Sequence, residues 1–570
     1  MSADTPARRT WGPLEDASVM AAAAVLPQLL RHKGDATNAG HVFSHGRIAE
    51  WNPDQPNAVG TPEQHAAVAL LPRVLEALLR SDDGTVDPEV RADLALIAEG
   101  RGREIPLTKE RMHRLFPQAK ALHMANYGSF GGTPIPVTAC HNAYQLCAVD
   151  GDSDRFLLRQ VFGVMEDVHR VLASYMGLPT TDNIVLVDNA GAAFNVVAES
   201  VIFNPAFYRK RHPAPSAKPL RITVMSSGYP MVRNCSQFYQ DRQRMLRDAL
   251  PEGTPLWDYQ VDVCDLTEAM VASLESDCVA LVDGIVDFAA ANEADVVIFD
   301  HCAFAPAFVY PVRELSAKIK AARPGCFVVV DAAHAIGAVS LEGVFADPVP
   351  FDAWFSNNHK WLMAPKSTAV LWFSDEYADW MHPAVKSNLY RGTPLSSTEA
   401  DRERQLGVLK NNSNGLRFPV DAGPAARRRA EFYWQGTRDH TGEMSIVDLV
   451  WLRRELGDDR ILARTHELAI QCAEAMAEVW GTAPLVRNAK VIGSMNTVKL
   501  PTDDHAEVVA VADWLSKTHS THIPSMRLNG KAYCRIAPQI FSDVEDFRVV
   551  ARRYLEALAA VRKLAAETTA

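Results

Sequence analysis

The sequence predicts an α/β fold built on a mainly parallel central sheet flanked by helices, and two features of its texture carry that reading. From residue 184 onward short apolar runs recur, each closed by turn residues: IVLVD (184–188), ITVM (222–225), DVVIFD (295–300), FVVVD (327–331) and STAVLWF (367–373). Runs without polar alternation, spaced widely enough for helices between them, are the pattern of strands buried on both faces of a parallel sheet. After about residue 442 the texture becomes helical, in DLVWLRREL and ELAIQCAEAMAEVW. It then alternates through VKL and CRIAPQIF before a last helix, VEDFRVVARRYLEALAAVRKLA. That order fits a smaller α+β domain beside the sheet.

Three regions follow. Residues 1–115 form a helical N-terminal extension of unknown role, with helical stretches at 19–31 and 61–80, the second opened by Thr61, Pro62 and Glu63. Residues 116–445 make the large domain that carries the sheet, and residues 446–570 the small C-terminal domain. No internal repeat appears.

Composition excludes several classes. Of 570 residues, 48% are apolar and 22% charged, a globular balance. No apolar run approaches the roughly 20 residues of a membrane span. The longest candidate, 19–30, is broken by Pro27 and preceded by Glu15 and Asp16, unlike a secretory signal. A formal charge of −11 argues against nucleic-acid binding, which needs a basic face. The nine cysteines lack CxxC pairs or metal-ligand spacing, so they read as reduced thiols of a cytoplasmic protein without a metal site.

The chemistry concentrates at strand ends. In FDAWFSNNHKWLMAPK (351–366), Lys360 sits among Trp354, Phe355, Trp361, Leu362 and Met363. Either its stem lies along the aromatics with the charge in water, or the lysine is wanted neutral, as the amine that condenses with a carbonyl. After IVLVD, the residues NAGAAFNVV open a helix with small side chains, a turn that presents free backbone N–H groups to a phosphate. After FVVVD, Asp331 stands at the mouth of the sheet with His334 one turn beyond, as a helix cap or as a carboxylate awaiting a cation. Together, a phosphate turn, a later strand-end aspartate and a lysine beyond it form the layout required by pyridoxal 5′-phosphate.

The chain also resembles the fold-type I pyridoxal-phosphate enzymes of aminotransferase class V, in their isopenicillin N epimerase-like and cysteine desulfhydrase-like branch. The resemblance rests on NYGSFGGTPIPV (126–137), DNAGAAFNVV (188–197), DHCAFAPAFVYPV (300–312), VVVDAAHAIG (328–337), SNNHKWLMAPK (356–366), WQGTRDH (434–440), GSM (493–495) and YCRIAPQIF (533–541), in the family's order. It implies that Lys360 forms the Schiff base and moves the Cα proton, that Asp331 holds the ring nitrogen, and that His334 lies near the ring oxygen. It places His359 and the backbone of Ala190, Gly191 and Ala192 at the phosphate, Tyr229 over the ring, and Thr437 at the phosphate of a second subunit in a homodimer. Asn126, Tyr127 and Arg535 would meet an amino-acid substrate, with Arg535 on its carboxylate.

The chain departs from the family pattern in places. Gly191 and Ala192 stand where relatives often have two threonines, Tyr127 replaces a histidine, Phe304 and Ala305 replace a T-S pair, and Ala537 replaces a serine. A more apolar substrate pocket and a looser grip on the cofactor are expected. Sulfur transfer of the desulfurase type needs a cysteine at the site, and Cys534, next to Arg535 on a strand, should face away from it. A C–S lyase acting by β-elimination on a cysteine derivative is therefore the first expectation. An epimerase, racemase or aminotransferase is the alternative, and a non-catalytic binding protein of the same fold comes last.

Overall fold

The computed structural model describes residues 88–116, 125–150, 161–212, 218–251, 257–387, 389–390 and 423–569. The helical stretches expected at 19–31 and 61–80 lie outside them. The central sheet has seven strands: β1 (Ile184–Val187), β2 (Leu220–Met225), β3 (Tyr259–Cys264), β4 (Val296–Asp300), β5 (Phe327–Asp331), β6 (Ala353–Asn357) and β7 (Ala369–Phe373), in the order β1-β7-β6-β5-β4-β2-β3. Neighbours are parallel from β3 through β6, and β7 runs antiparallel to both β6 and β1. Each of the five apolar runs became a strand.

β1, β4, β5, β6 and β7 are buried along their whole lengths, because helices cover both faces. Alternate residues feed two cores: Val297, Phe299, Val328 and Val330 on one side, Val296, Ile298, Phe327 and Val329 on the other. β3 and β6 were not visible in the sequence. β3 is a half-exposed edge strand whose YQVDVC mixes polar and apolar residues. In β6 the apolar signal lasts only through Phe355 before Ser356 and Asn357, yet this strand delivers the lysine.

The C-terminal region carries a separate antiparallel sheet, β8 (Asn496–Lys499), β9 (Ser525–Leu528) and β10 (Lys531–Ile536), in the order β8-β10-β9. The helices Asp458–Trp480, His505–His519 and Val544–Thr569 enclose its core of Leu468, Cys472, Val498, Val511, Cys534 and Ala551. The helix Ile446–Leu456 instead contributes Ile446, Leu449 and Val450 to the core of the large sheet. Residues 88–116 pack here too: Ile97, Ile105, Met112 and Leu115 join that core, Lys109 bridges Asp543 and Asp546, and the rings of Phe116 and Phe541 lie 4.9 Å apart. Among the described residues no helix is long and apolar enough to cross a membrane.

Candidate active site

The lysine segment leaves β6 at the carboxyl edge of the sheet and is held from two sides by glycines with positive φ. A Cβ on Gly131 (φ 63°) would fall 2.0 Å from the His359 carbonyl oxygen and 2.6 Å from that of Lys360. One on Gly337 (φ 78°) would fall 2.5 Å from the Leu362 backbone nitrogen. Only glycine allows that conformation and that approach together. The motifs NYGSFGG and VVVDAAHAIG therefore meet on the lysine backbone.

The side chain of Lys360 is half-buried and its Nζ lies 3.1 Å from His334 Nε2. The partner of the other ring nitrogen assigns the proton. Trp361 Nε1–H, which is only ever a donor, points at His334 Nδ1 at 3.4 Å, so Nδ1 accepts and a neutral ring carries its hydrogen on Nε2. Nε2–H can then donate to Lys360 in the deprotonated form of the lysine. The electrostatics agree. Burial holds the His334 imidazole well below its usual range, helped by the charges of Lys360 and Arg535. Burial also pulls the Lys360 ammonium down to about 8, against the attraction of Asp331. Of the two readings of Lys360 left open by the sequence, the structure favours the second, an amine drawn out of water whose proton is lost more easily than that of an exposed lysine.

Asp331 ends β5 and stands in register with Asp300, which ends the neighbouring β4. Both carboxyls are buried and line one cleft with Gly228, Tyr229 and Val232. Asp331 Oδ1 accepts from the Ala333 backbone N–H at 3.0 Å, and burial raises its carboxyl to about 6. Asp300 is pushed up further, by burial and then by Asp331, and its Oδ2 has no hydrogen-bond partner. Sequence reasoning missed Asp300, although the run DVVIFD ends in aspartate as FVVVD does. Tyr229 caps the helix Pro230–Ala249 and is 51% exposed at the mouth of the cleft.

The turn after β1 opens the helix Ala190–Val197. Two of the three amides expected to face a phosphate already have acceptors in the protein: Ala190 N–H donates to Asn357 Oδ1 at 2.8 Å and Ala192 N–H to Asn189 Oδ1 at 2.9 Å. Asn357, at the end of β6, ties the turn to the lysine strand and was not foreseen. His359 Nδ1 lies 3.0 Å from the Thr368 carbonyl and must donate to it, which leaves Nε2 as the free position. Burial and Lys360 hold that imidazole down at about 4, so Nε2 carries no hydrogen near neutral pH until an anion beside it raises the imidazole again. Thr437 is exposed, beyond the helix Gly423–Tyr433, and the next residue, Arg438, pairs with Asp188 before the turn at 2.8 Å.

On the opposite side, Arg535 of β10 is 1% exposed. Its Nη2 donates to Asn126 Oδ1 and, at 2.7 Å, to Ser129 Oγ. Nη1 reaches the Phe304 carbonyl at 3.4 Å, and Nε has no partner. Burial brings the guanidinium down to about 10. Asn126 and Arg535 thus come together as expected. Tyr127 does not join them. It is buried against Trp361 and Phe541, its hydroxyl both donating to Gly132 O and accepting from Gly132 N at 2.7 Å, so the expected substrate contact is replaced by a packing role. Cys534 lies in the small-domain core, on the face opposite Arg535, as strand alternation requires.

An amine with a lowered pKa, a strand-end carboxylate beside an unpartnered second one, and a buried guanidinium with a free N–H suit the aldehyde, ring nitrogen and substrate carboxylate of pyridoxal-phosphate chemistry. Fold and site have the arrangement expected of a fold-type I pyridoxal-phosphate enzyme. No family model matches the chain. It is 25% identical over 440 residues to a probable L-cysteine desulfhydrase, chloroplastic, of Arabidopsis thaliana, covering 74% of this chain and 80% of that one. It is 25% identical over 382 residues to the isopenicillin N epimerase of Streptomyces clavuligerus, covering 66% and 81%. The apo structure of a cysteine desulfurase from Thermococcus onnurineus superposes with a TM-score of 0.53 at 16% identity, over 79% of this chain and 98% of that one, which supports the fold. These likenesses agree with the resemblance of the sequence to the pyridoxal-phosphate enzymes of aminotransferase class V, among them desulfhydrases and isopenicillin N epimerases.

Proposed function

We propose that the protein cleaves a C–S bond of a cysteine derivative by β-elimination. The observation that carries the reading is the Lys360 amine with its lowered pKa, paired with His334 Nε2, at the same strand edge as Asp331 and across from Arg535. When bound, pyridoxal phosphate supplies an aldehyde that condenses with amines and a ring that withdraws electrons from Cα. Asp331 keeps the ring nitrogen protonated, and Tyr229 covers the open side of the cleft. The phosphate is held by the Gly191 amide, by His359 and, in a homodimer, by Thr437 of the second copy, whose exposure here leaves it free for that use. Arg535 grips the substrate carboxylate and so fixes which Cα bond faces Lys360. Lys360 Nζ, once displaced, takes the Cα proton, and the thiolate departs from Cβ.

Two observations favour elimination. The curated relatives include L-cysteine desulfhydrases, and among the described residues no cysteine faces the cleft to take sulfur as a desulfurase requires. The epimerase relative supports amino-acid epimerisation as the second reading. The composition and the thiols fit a cytoplasmic enzyme. Incubating the cofactor-loaded protein with L-cysteine, S-substituted cysteines and ordinary amino acids separates the readings. Pyruvate, ammonia and a thiol or sulfide are expected. Formation of the D-amino acid without pyruvate would replace elimination by epimerisation. Sedimentation tests the dimer, and a fully active monomer would remove the role of Thr437.

A further inference from the structure

Phe304 joins the two sides of the cleft. Its ring meets that of Tyr229 edge to face, with centroids 5.4 Å apart at 83°, and the Arg535 guanidinium carbon lies 5.6 Å from the same ring. Its carbonyl also accepts from Arg535 Nη1. The loop that carries it is fixed at both ends: Ala303 N–H donates to Phe308 O at 2.9 Å, and Ala307 N–H to Thr497 Oγ1 of β8 at 2.8 Å. The aromatic wall between the tyrosine over the cofactor and the arginine is therefore rigid, and Ala305 and Pro306 continue it without a hydroxyl or a charge.

We infer that Phe304 is a specificity-determining residue, selecting cysteine derivatives with an apolar, preferably aromatic, sulfur substituent and rejecting those with an anionic one. The inference rests on the function proposed above, which puts the substrate carboxylate on Arg535 and Cα beside Tyr229, so that the substituent on Cβ runs along the ring between them. An aromatic substituent gains an edge or face contact there. A second carboxylate there meets the negative face of the ring and shares the cleft with the Asp331 carboxyl, while the cation among the cleft-lining residues, Arg233, stands on the helix Pro230–Ala249 and not on the Phe304 loop. Arg535 has little left for a second anion, because Asn126 and Ser129 take both hydrogens of Nη2 and the Phe304 carbonyl takes one of Nη1.

The test compares S-phenyl-L-cysteine with S-carboxymethyl-L-cysteine on the cofactor-loaded wild type and on Phe304→Ser and Phe304→Leu. Dissociation constants come from the change in cofactor absorbance and kcat/KM from pyruvate release. Wild type should favour the phenyl conjugate by about tenfold or more in both measures, the scale of one aromatic contact plus one repelled charge. Phe304→Ser should bring the two conjugates to within about threefold, and Phe304→Leu, which keeps an apolar wall without the ring, should fall between. The leucine variant keeps the comparison available if the serine variant misfolds. An unchanged preference in a folded variant overturns the inference while leaving the lyase reading intact. The expected binding preference without pyruvate from either conjugate would remove the lyase reading and leave the role of Phe304 standing.

Discussion

Lys360 and His334 form a donor–acceptor pair in which the imidazole is the donor, because Trp361 holds its other nitrogen as an acceptor. The pairing suits the amine form that a carbonyl needs, and that form is reached at lower pH than in an exposed lysine, because the ammonium is pulled down to about 8. Burial supplies most of the effect, and Asp331 opposes it.

The first prediction concerns that amine directly. In the cofactor-free protein, labelling of Lys360 by an amine-selective reagent, followed by peptide mapping, should rise with pH through a midpoint of about 8, whereas an exposed lysine has its midpoint near 10.5. The same titration reaches stability. Between those values the unfolded chain binds a proton that the native state does not, so this group makes the cofactor-free protein more stable as pH rises through that window. In the loaded protein, borohydride should fix the pyridoxyl group on Lys360. Its appearance on Lys366 would overturn the assignment.

Replacing Asp331 by Asn should move the Lys360 midpoint down, because the aspartate attracts the ammonium and so raises its pKa. Catalysis should fall by about a hundredfold or more, since a neutral amide cannot hold a protonated ring nitrogen. A midpoint that rises, or full activity, would show that the carboxyl faces neither group.

How much of this was legible in the sequence depends on which physics each residue reports. The strands that carry Asp300 and Asp331 announce themselves as unbroken apolar runs, because burial on both faces leaves no room for polar alternation. β6 gives the weakest signal of the buried strands while carrying the most important side chain, since its last residues, Ser356 and Asn357, are polar yet buried and hydrogen-bonded. Partnerships across the sheet have no local signature. Nothing near residue 357 says that its side chain caps the Ala190 amide 167 positions away, or that Tyr127 turns inward onto Trp361. Motif order located the functional groups; only the fold shows which of them already have partners.

Gly131→Ala should cost on the order of 3 kcal/mol or more, because the new methyl group would overlap backbone atoms of His359 and Lys360 and would need a left-handed φ. Denaturant unfolding of the cofactor-free protein measures the loss, and cofactor content should fall with it. A variant as stable as wild type would mean that the lysine segment can shift away.

The phosphate turn offers a gain of function. Gly191→Thr with Ala192→Thr restores two hydroxyls next to amides that Asn189 and Asn357 partly occupy. Each new hydrogen bond to a charged phosphate is worth roughly 1.5 kcal/mol or more, so cofactor affinity should rise about tenfold or better, read by equilibrium dialysis. The Cβ added at residue 191 would lie 3.0 Å from Asn189 Oδ1, a contact the side chain can relieve, and in ordinary contact with Met231 at 3.9 Å. Unchanged affinity would place the phosphate away from this turn.

Arg535 gives the sharpest separation between reading a substrate and supporting the fold. Lysine at 535 keeps a positive charge but loses the planar fork that reaches Asn126, Ser129 and the Phe304 carbonyl, and with it the free Nε–H. If that N–H and its charge bind the α-carboxylate, Arg535→Lys should lower kcat/KM for amino acids by about thirtyfold to a thousandfold, the range for one charged hydrogen-bonding group in a closed site. Cofactor absorbance should stay near wild type, because Lys360 and Asp331 remain in place. The control is the matching amine without a carboxylate, whose reaction with the bound cofactor should hardly change. Equal loss with both ligands would assign Arg535 to holding the segment 126–129 against β10, and no loss with either would move the carboxylate site elsewhere in the cleft.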